Sequence, residues 1–195
     1  MNSIENLIKK CANEMIKKYN IVKDIKFPKL QIIEINNLGN YKIEEFEKYF
    51  NNIGENIIYF IVCNKLPFNY SEIKDKFKEL KSKNKIYHIS KINDKELWGK
   101  KIKQYYLYIG SKEDKAASRF KQHLGLIKPR QTYSMYLKDW WPKNNKLFIH
   151  YYEFGEKIKS DSLQIIEDLL WDYYKPLFGK KGATFNKKLP PTQKM

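Results

Sequence analysis

Ile57-Ile58-Tyr59-Phe60-Ile61-Val62 is a run of β-branched and aromatic residues with no charged side chain in it. A strand with one face in water alternates apolar and polar residues, whereas a strand covered on both faces does not. The run therefore predicts a central strand with a layer on each side. Working outward, Tyr105 to Ile109 reads as a second aromatic strand, stopped by Gly110-Ser111. Leu147 to Phe154 reads as a third, and Leu30 to Ile35 as a short fourth. Helical spacing accounts for what lies around them. Ile43, Phe46, Tyr49 and Phe50 suggest one helix, and Ser71 to Lys83 carries Ile73, Phe77 and Leu80 on one side. Asp114 to Leu124 is a helix ended by Gly125, Tyr133 to Trp141 is a helical segment before Pro142, and Ser160 to Tyr174 is a helix stopped by Pro176. Ile4, Leu7, Ile8, Cys11, Met15 and Ile16 give residues 4–19 one apolar helical face. The expected fold is α/β in the α+β sense: a small, mostly antiparallel central sheet flanked by helices. Residues 1–50 form a mostly helical N-terminal extension, 51–180 the main domain with an inserted helix at about 71–83, and 181–195 a basic tail.

The 195 residues suffice for one large domain and a sizeable core. Lys and Arg number 38 against 22 Asp and Glu, a formal charge of +16. All but Arg119 and Arg130 of those basic residues are lysine. Such an excess points to an anionic partner, nucleic acid or an acidic membrane surface, although abundant Lys, Asn, Ile and Tyr also follow from an AT-rich coding sequence. The longest apolar run, Ile57 to Cys63, is far short of the ~20 residues of a spanning helix. The N-terminus has neither a basic start nor a hydrophobic stretch, and Cys11 and Cys63 cannot form a disulfide framework, so the expected location is the cytoplasm.

Arg119 and His123 are four apart on one helix and adjoin each other beside Ala116 and Phe120, on the border of the core-facing stripe. A guanidinium fits a phosphate with a planar fork of donors that lysine lacks; a plain surface pair on an amphipathic helix is the other reading. On the last helix Leu163, Ile166, Leu170 and Tyr174 form the apolar stripe, and Glu167 falls inside it. A carboxylate there must be paired or bind a metal, because burying it bare is costly. Asp168 and Asp172 lie outside the stripe and read as solvated.

Taken in order, a tyrosine strand, Tyr108-Ile109-Gly110-Ser111, Arg119, His123, a further strand and a helix bearing Glu167 resemble the GIY-YIG nuclease family, over about residues 55 to 180. Lys121-Gln122-His123-Leu124-Gly125 and Lys175-Pro176-Leu177-Phe178-Gly179 look like its longer, restriction-endonuclease-like members. Three features depart from the pattern. The first motif lacks its glycine, at Ile57-Ile58-Tyr59 and at the competing Lys85-Ile86-Tyr87; Tyr59 is preferred for its longer apolar strand, with Tyr87 the alternative. Phe178-Gly179-Lys180 stands where the family often has an asparagine, the nearest candidate being Asn186, and residues 1–50 match nothing in the family core.

The resemblance implies an endonuclease that hydrolyses phosphodiester bonds of double-stranded DNA with one Mg²⁺ (or Mn²⁺) per active site. Glu167 would hold the metal, Arg119 would contact the scissile phosphate, and Tyr59 would activate water with Tyr108 and His123 positioning it. Which of Tyr59 and His123 takes the proton is open. Lys112, Lys180 and Lys181 are expected DNA contacts. The stretch from Lys128 through Arg130 to Trp141 reads either as a base-reading element, with Arg130 on guanine, or as a cover for the core. One site per chain favours a homodimer for cutting both strands. A non-catalytic binding module, or a structure-selective or RNA nuclease, remains open on the same fold.

Overall fold

A computed structural model of the chain describes residues 9, 12–13, 16–17, 19–40, 43–50, 52–83, 90–94, 100–101, 104–129 and 132–182. The strand β2 (Ile57–Cys63) is buried at every one of its seven residues. It lies in the middle of a five-stranded sheet, with β5 (Leu147–Glu153) and then β1 (Gln31–Ile35) on one side, and β4 (Gln104–Lys112) and then β3 (Lys100–Lys101) on the other. All four pairings are antiparallel.

The missing alternation of β2 has a simple cause. Ile57, Tyr59, Ile61 and Cys63 enter one apolar cluster, while Ile58, Phe60 and Val62 enter another on the opposite face. The first face is covered by α1 (Ile43–Phe50) through Phe46 and Phe50, α2 (Tyr70–Lys83) through Ile73 and Phe77, and α3 (Ala116–Leu124) through Phe120 and Leu124. The short α4 (Leu137–Trp140) joins this layer through Leu137 and Trp140. The second face is covered mainly by α5 (Ser160–Tyr174) through Leu163, Ile165 and Ile166. The arrangement is α+β, as expected, and α2 falls in the connection between β2 and β4.

Boundaries differ from expectation where a local interaction was not apparent. Asn69 starts α2 with a reciprocal cap: its side chain accepts from the Glu72 N–H at 3.0 Å, and Glu72 accepts from the Asn69 N–H at 2.7 Å. Helix α3 begins only at Ala116, because Lys115 is left-handed at φ 50°, and it ends as expected at Gly125, at φ 80°. The segment expected to be helical over Tyr133 to Trp141 contains only one helical turn, α4.

Strand β4 carries the irregularity that matters most. Ile61 pairs with Tyr108 and Val62 with Tyr106, so Leu107 is an extra residue, a β-bulge. Up to Leu107, odd positions face α3; beyond it the phase flips, and Tyr108 packs against the α3 layer while Ile109 packs against α5. Gly110 does not stop the strand, which runs on to Lys112. Its role is space: Gly110 pairs with Tyr59, and a Cβ there would lie 2.6 Å from the Tyr59 Oη and 2.9 Å from Tyr108 Cε1.

Among the described residues no helix is long and apolar enough to cross a membrane. Residues 19–22 are the end of a helical stretch, whose Val22 packs under α5's layer.

Candidate active site

The bulge and the glycine fix where side chains emerge. On one face of the sheet, Tyr59 from β2 and Tyr108 from β4 lie with ring centroids 6.0 Å apart, under α3. Helix α3 presents Arg119 and His123 to them, one turn apart. The Tyr59 hydroxyl is 3.2 Å from His123 Nε2, and the Tyr108 ring is 4.1 Å from the imidazole centroid. Arg119 donates through Nη2 to the Tyr108 hydroxyl at 3.2 Å and to the Tyr133 carbonyl at 2.5 Å, and through Nη1 to Gln122 Oε1 at 3.0 Å. Its guanidinium sits 5.8 Å over the Tyr108 ring. On the other face Ser111, one residue past Gly110, donates its hydroxyl to Glu167 of α5. Where strand β4 leaves the sheet these two faces meet: Tyr59, Tyr108, Ser111, Lys112, Arg119 and Glu167 line one cleft of about 400 Å³.

Four of the five principal predicted residues therefore share this cleft, and the fifth, His123, lies behind it with no exposed surface. His123 can act only through Tyr59 or Tyr108. Lys112 reaches the cleft rim and is paired with Asp114 at 3.1 Å. Lys180 and Lys181 line a neighbouring cavity instead. Tyr87, Arg130 and Asn186 lie outside the described residues, as do most of residues 1–18 and all of 183–195. In the stretch expected to read bases or cover the core, Tyr136, Trp140 and Trp141 are buried and cover the core, while Tyr133 is exposed.

The electrostatics follow from burial. Desolvation raises the Tyr59 phenol far above its ordinary value, and Arg119 opposes this. Tyr108 is raised for the same reason, again against Arg119. Burial, with the Arg119 charge adding to it, drives His123 well below the ordinary imidazole value, so the ring is neutral. Its Nδ1 is buried and finds no partner among the described residues. Burial pushes the Glu167 carboxyl up to about 7, with the Ser111 hydroxyl acting in the opposite sense.

Ser111 went unassigned in the sequence, yet its hydroxyl opposes the effect of burial on Glu167. A hydrogen bond to a carboxylate favours its ionised form by roughly a pH unit or more. Ser111→Ala is expected to move the pH midpoint for Mn²⁺ binding upward by about one unit, read by calorimetric titration across pH 6 to 9. An unchanged midpoint would mean that Glu167 does not bind the ion.

Asp168, expected in solvent, is only 2% exposed. It accepts from the Gly182 N–H at 2.8 Å and from Gln164 Nε2 at 3.2 Å. The chain after α5 turns back along the helix and buries it. Asp172 is likewise engaged, by Lys175 at 3.2 Å and by Lys181. Neither carboxylate lines the cleft.

Among the described residues no three His, Cys, Asp or Glu side chains converge on one point. Of the two carboxylates lining the cleft, Asp114 is paired with Lys112, so a cation there would rest on Glu167, with water and ligand oxygens completing its shell. That donor set suits Mg²⁺, which keeps several waters and takes one or two carboxylates plus substrate phosphate. No protein-family model matches the chain, and neither does a curated protein or a solved structure.

Proposed function

We propose that the chain is a divalent-metal-dependent endonuclease of the GIY-YIG type, hydrolysing phosphodiester bonds of double-stranded DNA in a restriction-like manner. The observation that carries the reading is convergence: tyrosines from β2 and β4, the arginine of α3 and the glutamate of α5 meet at one cleft, with a buried histidine bonded to the first tyrosine. Separations of up to 108 residues in sequence are closed at that point (Tyr59 to Glu167).

The chemistry follows from the groups present. Glu167 is the residue that would hold Mg²⁺ or Mn²⁺, which would supply Lewis acidity at a phosphate oxygen. Arg119 offers fixed N–H donors and a permanent charge where negative charge develops on the phosphoryl group. The Tyr59 hydroxyl faces the cleft on one side and His123 Nε2 on the other. The imidazole is neutral, so Tyr59 stays a phenol whose hydroxyl is held by His123 Nε2 and would orient the attacking water. Burial disfavours both a phenolate at Tyr59 and an imidazolium at His123, so the water's proton passes to a phosphate oxygen or to solvent and rests on neither residue.

The test is incubation of supercoiled plasmid with the protein and Mg²⁺ or Mn²⁺, with EDTA as control. Metal-dependent nicking and linearisation are expected, and discrete fragments would indicate sequence specificity. Tight, salt-sensitive DNA binding with no cleavage under any metal would replace this reading with a binding module. Cleavage confined to RNA or branched DNA would move the substrate and keep the chemistry.

A further inference from the structure

Beside the reaction cleft lies a second cavity of about 540 Å³, and the two share Tyr108, Arg119 and Thr132. Their linings differ in kind. The reaction cleft contains Glu167 and Asp114; the second cavity has no carboxylate among its lining residues and has Lys91, Lys180 and Lys181. Ser90 also lines it; this residue is 3% exposed, and its hydroxyl has no hydrogen-bond partner among the described residues. A buried hydroxyl without a partner is costly and calls for a ligand or water. Tyr133, 54% exposed, adds an aromatic ring at the rim.

The cavity is held open by backbone rather than by chance side-chain positions. Gly179, at φ 93°, donates its N–H to the Lys91 carbonyl at 2.8 Å, and a Cβ there would lie 2.9 Å from Tyr108 Cε2. The Asp168 carboxylate fixes Gly182, and Asp172 engages Lys181. A glycine against Tyr108 and a buried aspartate thus hold a basic wall beside Arg119.

We infer that this second cavity binds one nucleotide of a DNA strand, the neighbour of the one whose phosphate is cleaved. Its phosphate meets Lys91 and Lys180, a sugar or phosphate oxygen meets the Ser90 hydroxyl, and its base lies against Tyr133. The inference rests on the nuclease reading for the word neighbour, but the binding it claims needs no metal and no cleavage. Arg119, between the two cavities, then touches consecutive units of one strand.

The test is calorimetric binding of 5′-thymidine monophosphate to the full chain in EDTA, with thymidine and the single-stranded hexamer (dT)₆ as companion probes. Expected are binding of the monophosphate at least tenfold tighter than thymidine, and displacement by (dT)₆. Lys91→Glu, at an exposed position, should weaken the monophosphate tenfold or more. Tyr133→Ala should weaken it about tenfold, the usual worth of one base–aromatic stack, and Ser90→Ala severalfold. Lys112→Glu, on the other cleft, should change it less than threefold. No binding of the monophosphate, dependence on Lys112 instead of Lys91, equal binding of thymidine, or failure of (dT)₆ to compete would each overturn the inference. Plasmid cleavage without nucleotide binding would leave the nuclease standing and remove this site; nucleotide binding without cleavage would do the reverse.

Discussion

If the chain is the proposed nuclease, Glu167→Gln is expected to lower DNA cleavage by about 10³-fold or more, because a catalytic metal supplies several kcal/mol of transition-state stabilisation and each 1.4 kcal/mol is a factor of ten. The amide keeps the shape of the side chain and can still accept from the Ser111 hydroxyl. The fold should therefore survive the change, and above pH 7 the variant should be more stable than the parent. The sign follows from the raised carboxyl. Burial lifts Glu167 from 4.5 to about 7, so the native chain holds its proton more tightly than the unfolded chain does. Its contribution to stability is fully present below pH 4.5 and is lost as pH rises through 7, by roughly 2–4 kcal/mol. Urea denaturation at pH 5 and pH 8 should show that loss in the parent and little of it in Glu167→Gln. Retention of more than a tenth of the cleavage rate by the variant would remove Glu167 from the metal.

Arg119→Lys is expected to reduce kcat by about 10²–10³-fold, the usual cost of one preorganised donor aimed at developing charge. The reason is geometric. Arg119 makes three hydrogen bonds in different directions while its plane lies over the Tyr108 ring. A lysine keeps the charge but has one nitrogen on a flexible stem and cannot hold that arrangement. Since the charge count is unchanged, the salt dependence of DNA affinity should stay the same. Single-turnover kinetics with filter-binding titrations separate the two effects. A loss confined to affinity, with the chemical step intact, would make Arg119 a binding residue only.

The fold was legible where burial dictates composition. The seven buried residues of β2 include no charged side chain, and that is visible without coordinates. Glu167 was legible for the complementary reason, a carboxylate within an apolar stripe. What escaped depends on residues distant in sequence. Asp168 sits outside the stripe of its own helix, and only the returning chain at Gly182 buries it. Ser111 became meaningful once β4 met α5. Gly110 signals either a strand end or a close approach; the strand runs on to Lys112, and the close approach of Tyr59 is the constraint. The bulge at Leu107 left no mark in the sequence, since Tyr105 to Ile109 are apolar or aromatic in either phase.

Because β2 is the innermost strand, Tyr59 is part of the hydrophobic centre and part of the cleft at once. Many enzymes carry their reacting groups on loops that open and close while the scaffold stays intact. On the nuclease reading, a residue of the core and a residue of the chemistry would be the same tyrosine. Heat inactivation should coincide with global unfolding, and amide exchange at Tyr59 should be among the slowest in the chain.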